Sequence, residues 1–265
     1  MPKIRHLAFR CKEPKTIAEF LHEVFGLEIL YVNEDTGTAV LSDGETNITL
    51  NSERFEYSWH FGLEISLEEI AGRRSLLERM GAQTNAVADG RPVEAYVTTP
   101  EGHRIDMAPF WPTLPGQHRR QRDARPLDEP EVARLKRLPK IRHIAFCCKE
   151  PHRIADFLAE ALDLEVLYYT GPSVAVLSEG NINLTLLPES FLEHDPVPWH
   201  FGLEMSLEQI EALRPRLVEM GVEMHEGIRD GRPVESFIHT PEGHRIDLAS
   251  YWPTKRGQPR RQPEA

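Results

Sequence analysis

Two histidines and an aspartate occur twice in this chain, within three short motifs that keep their order. His6 closes Pro-Lys-Ile-Arg-His, His60 lies in Trp-His-Phe-Gly-Leu-Glu, and Asp106 closes Pro-Glu-Gly-His-Arg-Ile-Asp. About 140 residues later the motifs recur, and the equivalent residues are His143, His200 and Asp247. Two imidazoles and one carboxylate suit a divalent metal that keeps open coordination positions. The sequence therefore predicts up to two metal sites per chain.

Each of these residues lies in a segment that is typical of a β-strand. Side chains alternate between the two faces of a strand. The residue that follows each ligand is apolar and suits a helix-covered core. His6, His60 and Asp106 then share the opposite face, and we expect them to meet if the strands form one cupped sheet.

The order of elements predicts an α+β fold made of four β-α-β-β-β units, paired into two tandem domains. In the first unit, Pro14 opens a helix that Gly26 ends, and three short strands follow. The second unit starts at Trp59 and has a capping box at Ser66. Each domain is expected to be a cupped mixed sheet with helices outside. The predicted boundaries are 1–112 for the first domain, 113–138 for a polar linker with a short helix near its end, 139–253 for the second domain and 254–265 for a polar tail.

The composition limits the classes of partner that the protein is expected to bind. The formal net charge of −11 argues against non-specific nucleic-acid binding, which needs a clustered positive surface. No apolar run approaches the length of a membrane span, and the N-terminus shows no signal-peptide pattern. Three unspaced cysteines indicate neither a disulfide framework nor a zinc site, and a reducing cytoplasm fits them. We expect a small-molecule substrate, no nucleic acid and no membrane; a homodimer is left open.

Paired β-α-β-β-β units, with ligands on the first strands and on a closing Pro-x-Gly-x-x-Ile-Asp strand, resemble the vicinal oxygen chelate (VOC) superfamily. That superfamily includes glyoxalase I, extradiol dioxygenases, fosfomycin-modifying enzymes and bleomycin-resistance proteins. The resemblance covers both predicted domains and implies two tandem VOC domains. It does not choose a reaction, because one fold hosts many chemistries.

The departures from the superfamily's patterns are informative. Glyoxalase I enzymes carry a glutamate ligand on the strand where this chain has Thr49, and Thr185 in the second copy. The remaining His-His-acid set is similar to the facial triad of type I extradiol dioxygenases, with Asp in place of Glu. Those enzymes place a tyrosine ten residues before the acid, where Tyr96 stands; the second copy has Phe237. Their histidine base, on the strand of Thr49, has no counterpart here.

Three functions stay open at this point: an extradiol-type dioxygenase, which is favoured, a metal-dependent lyase, isomerase or group-transfer enzyme, and a ligand-binding protein without turnover. Iron(II) fits the first, whereas Mn(II), Zn(II), Ni(II) or Co(II) would favour Lewis-acid chemistry. Arg91, Glu94 and Tyr96 are candidates for anion anchor, base and proton donor. An Arg–Glu salt bridge across a hairpin is the alternative for the first two. Glu64 and Glu204 are rival carboxylates for the cup.

Overall fold

The computed structural model describes residues 2–55, 59–80, 83–86, 95–117, 127–171, 173–193, 197–229 and 232–259; for 83–86, 227–229 and 232–235 only the backbone is described. The described helices are α1 (Pro14–Phe25), α2 (Leu67–Arg79), α3 (Glu129–Arg137), α4 (Pro151–Leu162) and α5 (Leu207–Glu219). The strands of the first half are β1 (Lys3–Arg10), β2 (Glu28–Asn33), β3 (Thr38–Ser42), β4 (Asn47–Asn51), β5 (Trp59–Glu64), β6 (Gln83–Ala86), β7 (Ala95–Thr98) and β8 (Arg104–Ala108). The strands of the second half are β9 (Lys140–Cys148), β10 (Glu165–Thr170), β11 (Val174–Ser178), β12 (Asn183–Pro188), β13 (Trp199–Glu204), β14 (Met224–Arg229), β15 (Arg232–His239) and β16 (Arg245–Ala249).

Each half forms one mixed sheet of eight strands. The first has the order β2-β3-β4-β1-β5-β8-β7-β6, and the second repeats it as β10-β11-β12-β9-β13-β16-β15-β14. The two units of a half join where β1 pairs antiparallel with β5, and each unit closes with a parallel pair, β1 with β4 and β5 with β8. The predicted α+β class with paired β-α-β-β-β units in cupped sheets is confirmed.

The helices begin and end where local chemistry requires. Pro14 opens α1 without wasting a donor, since the first amide of a helix has no intrahelical partner. Gly26 then ends the helix at φ 72°, a backbone region that favours glycine. The Ser66 hydroxyl accepts a hydrogen bond from the amide of Glu69, and the Glu69 carboxylate accepts one from the amide of Ser66. These two bonds complete the predicted capping box.

The apolar faces of the central strands do not rest on helices alone. Phe9 of β1 stacks on Trp199 at 3.9 Å between ring centroids, and Trp59 of β5 stacks on Phe146 at 3.9 Å. The two halves therefore share one aromatic core, which runs through β1, β5, β9 and β13. Trp59 and Trp199 each pack on an aromatic ring of the other half.

Charged side chains fix this interface reciprocally. The Glu101 carboxylate accepts from the amides of Lys149 and Glu150, both at 2.8 Å, at the start of α4. Glu242 does the same for the amides of Lys12 and Glu13, immediately before α1, with two bonds of 2.7 Å. A negative charge near a helix N-terminus also complements the helix dipole. Each half therefore anchors the start of a helix of the other.

The segment between the sheets contains the expected short helix. Asp128 caps α3 through a capping box with Glu131, and Leu135 buries its side chain. The boundaries at 112, 138 and 253 stay predictions. Of the helices in the described part of the chain, none has the length and apolar character to cross a membrane.

Replacing Phe146 by alanine tests the shared core. Its ring is fully buried and contacts the rings of Phe9, Trp59 and Phe61. We expect Phe146→Ala to lower the free energy of unfolding by about 3–5 kcal/mol in one cooperative urea transition. Val218→Ala, at a position 75% exposed on α5, is the control and should change it by no more than about 0.5 kcal/mol. Two separate transitions, with only the second affected, would contradict a shared core.

Candidate metal centres

The first constellation forms on three neighbouring strands around a glycine. His6 on β1 lies opposite Gly62 on β5, and Gly62 lies opposite Asp106 on β8. His60 precedes Gly62 by two residues and shares its face. His6 Nε2 is 3.3 Å from His60 Nε2, and His60 Nε2 is 3.6 Å from Asp106 Oδ2. Ligands about 2.1 Å from a metal lie roughly 3.0–3.4 Å apart, so these spacings suit one ion.

The second constellation repeats the first on β9, β13 and β16. His143 Nε2 is 3.4 Å from His200 Nε2, and Asp247 Oδ2 is 3.4 Å from His200 Nε2 and 4.0 Å from His143 Nε2. All three side chains are buried. In each half the structure brings together the two histidines and the aspartate singled out in the sequence.

Asparagine on the fourth strand orients the first histidine of each set. Asn47 Nδ2 donates to the carbonyl of Pro112 at 2.7 Å, which leaves Asn47 Oδ1 facing His6 Nδ1 at 2.6 Å. An amide oxygen only accepts, so Nδ1 carries the proton and Nε2 presents its lone pair to the centre. Asn183 repeats the arrangement with His143 and Pro253. The sequence carries a signal for this role, because Asn47 and Asn183 recur at matching positions two residues before Thr49 and Thr185, but the sequence analysis missed it.

Tryptophan covers the same histidine. The Trp111 ring lies parallel to the His6 ring with centroids 4.2 Å apart, and Trp252 lies on His143 at the same distance. Gly62 makes room for this stack, because a Cβ there would come 2.5 Å from the Trp111 ring and 3.0 Å from His6 Cβ. Trp111 and Trp252 thus lie within the two constellations.

Arginine grips the acid of each set. Arg104, two residues before Asp106 and on the same strand face, donates from Nε to Oδ1 at 2.5 Å and from Nη2 to Oδ2 at 3.2 Å. Arg245 holds Asp247 through the same Nε contact. This ion pair fixes the carboxylate plane beside the histidines. The arginine stands in the repeated Pro-Glu-Gly-His-Arg-Ile-Asp motif, where strand parity alone could have placed it.

The sequence profile of the glyoxalase/bleomycin resistance protein/dioxygenase superfamily matches residues 140–248, which is nearly all of the second sheet with its helices. The second half belongs to this superfamily. The first half repeats its motifs and its strand order. The predicted VOC relationship is confirmed.

Solved structures agree with this assignment at the level of fold. The Mn(II)-bound glyoxalase from Novosphingobium aromaticivorans is 16% identical, with 97% of this chain and 87% of that chain covered at a TM-score of 0.67. The 2,2',3-trihydroxybiphenyl 1,2-dioxygenase from Sphingomonas wittichii strain RW1 is 15% identical, with 93% and 89% covered and the same TM-score. The 2,3-dioxygenase LapB from Pseudomonas sp. KL28 is 13% identical, with 93% and 91% covered, also at 0.67. Among curated proteins, none matches this sequence.

Of the residues predicted to act beside the metal, the described part of the chain includes Tyr96 only. Tyr96 lies opposite Asp106 in the β7–β8 ladder, and the Arg104 guanidinium lies 4.5 Å from the centre of its ring. Phe237 contacts Arg245 in the same way at 4.2 Å, so within this ring–arginine pair the two halves differ by the tyrosine hydroxyl. Arg91 and Glu94 lie outside the described residues. His103 stacks on Trp59, with ring centroids 4.6 Å apart, and is not part of the first constellation.

Burial sets the charge of the second VOC centre. Desolvation lowers the pKa of His143 to about 3, and the neighbouring His200 adds to this effect. Desolvation, followed by the positive charge of Arg245, lowers the pKa of His200 to about 3 as well. Both imidazoles are therefore neutral near pH 7, which is the form that binds a metal.

Access differs between the two VOC centres. A cavity of about 590 Å³ reaches the first set of ligands and is lined at its outer part by Tyr31 and Phe55, which are 52% and 40% exposed. In the second half, a short 3-10 helix at Glu189–Glu193 places the Phe191 ring 6.4 Å from the His200 ring. The His60 side chain keeps 14% of its surface exposed, against 8% for His200. The first centre is the more open one.

A methyl group at Gly62 tests the packing of the centre. We expect Gly62→Ala to lower the free energy of unfolding by about 1–3 kcal/mol, because Trp111 or His6 must move. Gly72→Ala on α2 is the matched control, since a Cβ there meets nothing within 4 Å and alanine gains about 0.5–1 kcal/mol in a helix. Urea denaturation measures both, and Trp111 emission reports the displaced ring. Equal stability of the two variants would mean that the stack tolerates a side chain.

Proposed function

We propose that this protein is a metal-dependent VOC enzyme that acts on a small substrate with vicinal oxygens, as an extradiol-type dioxygenase. The observation that carries this proposal is the open His6–His60–Asp106 set at the end of a substrate-sized cavity. The donor set fits a divalent metal, because both histidines offer Nε2 toward the carboxylate. Iron(II) is the favoured ion for this reaction, with Mn(II), Zn(II), Ni(II) or Co(II) as alternatives.

A divalent metal bound there would supply Lewis acidity at two adjacent substrate oxygens and, as iron(II), reactivity toward O₂. The chain's own residues bind and orient. Asn47 keeps the proton of His6 on Nδ1, and Arg104 holds the Asp106 carboxylate in one plane. Trp111 and Phe55 give the cavity apolar walls that favour an aromatic ring and displace water. Thr49 presents a hydroxyl beside the ligands, and Tyr96 is our candidate for a proton or hydrogen-bond donor.

A second candidate function rests on Thr49. This residue pairs with Ala8 in the β1–β4 ladder and lines the cavity. A threonine hydroxyl can hydrogen-bond to a substrate, but it is a poor base at neutral pH. This favours, as an alternative, a lyase, isomerase or group-transfer reaction in which the metal does Lewis-acid work. A ligand-binding protein without turnover is the third reading.

Metal content tests the ligands. We expect up to two divalent ions per chain in anaerobically purified protein, measured by elemental analysis. His60→Ala should remove the ion from the first centre, and Asp247→Ala the ion from the second. Neither should unfold the chain, since these side chains lie on the face away from the shared core. Glu64→Ala is the control, on the same strand and face as His60, and should keep both ions. A content near one that Asp247→Ala leaves unchanged would assign the second set to structure.

Tyr96→Phe tests the reaction at the first centre. The substitution keeps the ring that stacks on Arg104 and removes only the hydroxyl, so it copies the Phe237–Arg245 pair. A positioned acid or base contributes roughly 10²–10⁴ in rate, and we expect a loss in that range with metal content unchanged. An oxygen electrode with iron-loaded protein and catechols is the assay, and Asp247→Ala should keep most activity. Turnover of a substrate that needs no O₂, without O₂ uptake on catechols, would favour the lyase or isomerase class.

A further inference from the structure

An arginine that forms no ion pair with any described residue lies in the wall of the first cavity. Arg54 follows β4 and lines the cavity together with the metal-ligand candidates. Its Nη1 donates only a long bond of 3.4 Å to the carbonyl of Asp35. Among the described residues, no carboxylate forms an ion pair with it. A guanidinium in such a position is a ready partner for an anionic ligand.

The described residues that line the rest of the cavity add no uncompensated negative charge to oppose such a ligand. Asp106 is the only carboxylate among the described residues that line it, and Arg104 already neutralises that group. A divalent ion at the proposed centre would make the cavity more positive still. The electrostatics therefore favour a substrate that carries its own negative charge.

A polar path connects Arg54 with the ligand end. Asn47, Thr49 and Asn51 alternate along β4 and share the face of His6. Thr38 Oγ1 is 3.4 Å from Asn51 Oδ1, and no described residue accepts from Asn51 Nδ2. From Asn47, which pairs with His6, to Asn51 the strand advances about 13 Å, and Arg54 follows the end of β4 that points away from His6.

The second half lacks the polar path and the arginine of the first cavity. These residues are therefore not required by the fold, which both halves share. Its sequence aligns with the first half without gaps from β3 to the end of β4. The residues equivalent to Thr38, Asn51 and Arg54 are Val174, Leu187 and Ser190. The phenylalanine that follows is kept in both halves, as Phe55 and Phe191. The polar and cationic end is thus specific to the cavity that is open.

The geometry points to a substrate of the first centre that joins a vicinal-oxygen head to a carboxylate on a side chain, with Arg54 as the specificity residue for the carboxylate. This inference rests on the proposed function, because the head is placed by the metal centre. The Trp111 and Phe55 walls accommodate an aromatic ring between the two ends. The substrate class is an ortho-dihydroxy aromatic acid rather than a neutral catechol.

The test compares dihydrocaffeate with its methyl ester, which share the two hydroxyls and differ in charge. Binding to Zn(II)-loaded full-length protein is measured by isothermal titration calorimetry, so that no turnover is needed. We expect the acid to bind at least about tenfold more tightly than the ester, in line with one charge-assisted bond. Arg54→Gln should abolish the difference, and Arg54→Lys should keep part of it. Arg214→Gln on α5 makes the same charge change on another surface and should leave the difference intact.

The two possible failures separate. Equal affinities for acid and ester in the wild-type protein overturn the role of Arg54 and leave the proposed function standing, since both ligands bind through their hydroxyls. An acid preference that survives Arg54→Gln also overturns the assignment. If neither ligand binds, or if binding is unchanged in His60→Ala, the vicinal-oxygen site itself is wrong and this inference falls with it. Arg54 is exposed, so we expect its variants to fold and their ligand affinities to be measurable.

Discussion

The aromatic contact between the two halves is the constraint on which the rest of the structure depends. It occupies one face of the four central strands, where Phe9 meets Trp199 and Trp59 meets Phe146. The pleat then commits the other face of those strands to His6 and His60 and to their copies. Alternate residues of the same strands supply the aromatic packing on one face and the polar side chains on the other. A one-residue slip of β1 or β5 would exchange the two faces and destroy both.

Around the candidate metal ligands, the geometry is fixed by neighbouring residues that are not themselves candidate ligands. Gly62 leaves a space that the Trp111 ring fills, the ring rests on His6, and Asn47 fixes the His6 tautomer. Arg104 plays the equivalent role for Asp106. A ligand set held in this way is pre-organised, so a metal would bind without first ordering the side chains. Every one of these contacts recurs in the second half. The duplicated unit therefore includes the supporting glycine, tryptophan, asparagine and arginine as well as the three candidate ligands.

Much of this architecture could be predicted because its determinants are local and written twice. The motifs around His60 and Asp106 carry strand periodicity, so strand parity alone predicts that the candidate ligands share one face. The shared core could not be predicted in this way, because an apolar strand face looks the same in sequence whether a helix or another sheet covers it. The position of Trp111 could not be predicted either, because it follows the last strand and only the path of the chain after β8 returns it over Gly62. Arg91 and Glu94 keep their predicted roles as hypotheses.

The shared core also affects how the chain folds during its synthesis on the ribosome. Phe9, Trp59 and Phe61 are made early, but their partners Phe146, Trp199 and Phe201 lie far downstream. At about 5–20 residues per second, the ribosome needs on the order of ten seconds to bridge that gap. Throughout this interval the aromatic surface of the leading half lacks the partners that cover it in the folded chain. We expect the nascent chain to need protection by chaperones during this time, because a neighbouring nascent chain on the same message offers the same surface as a false partner.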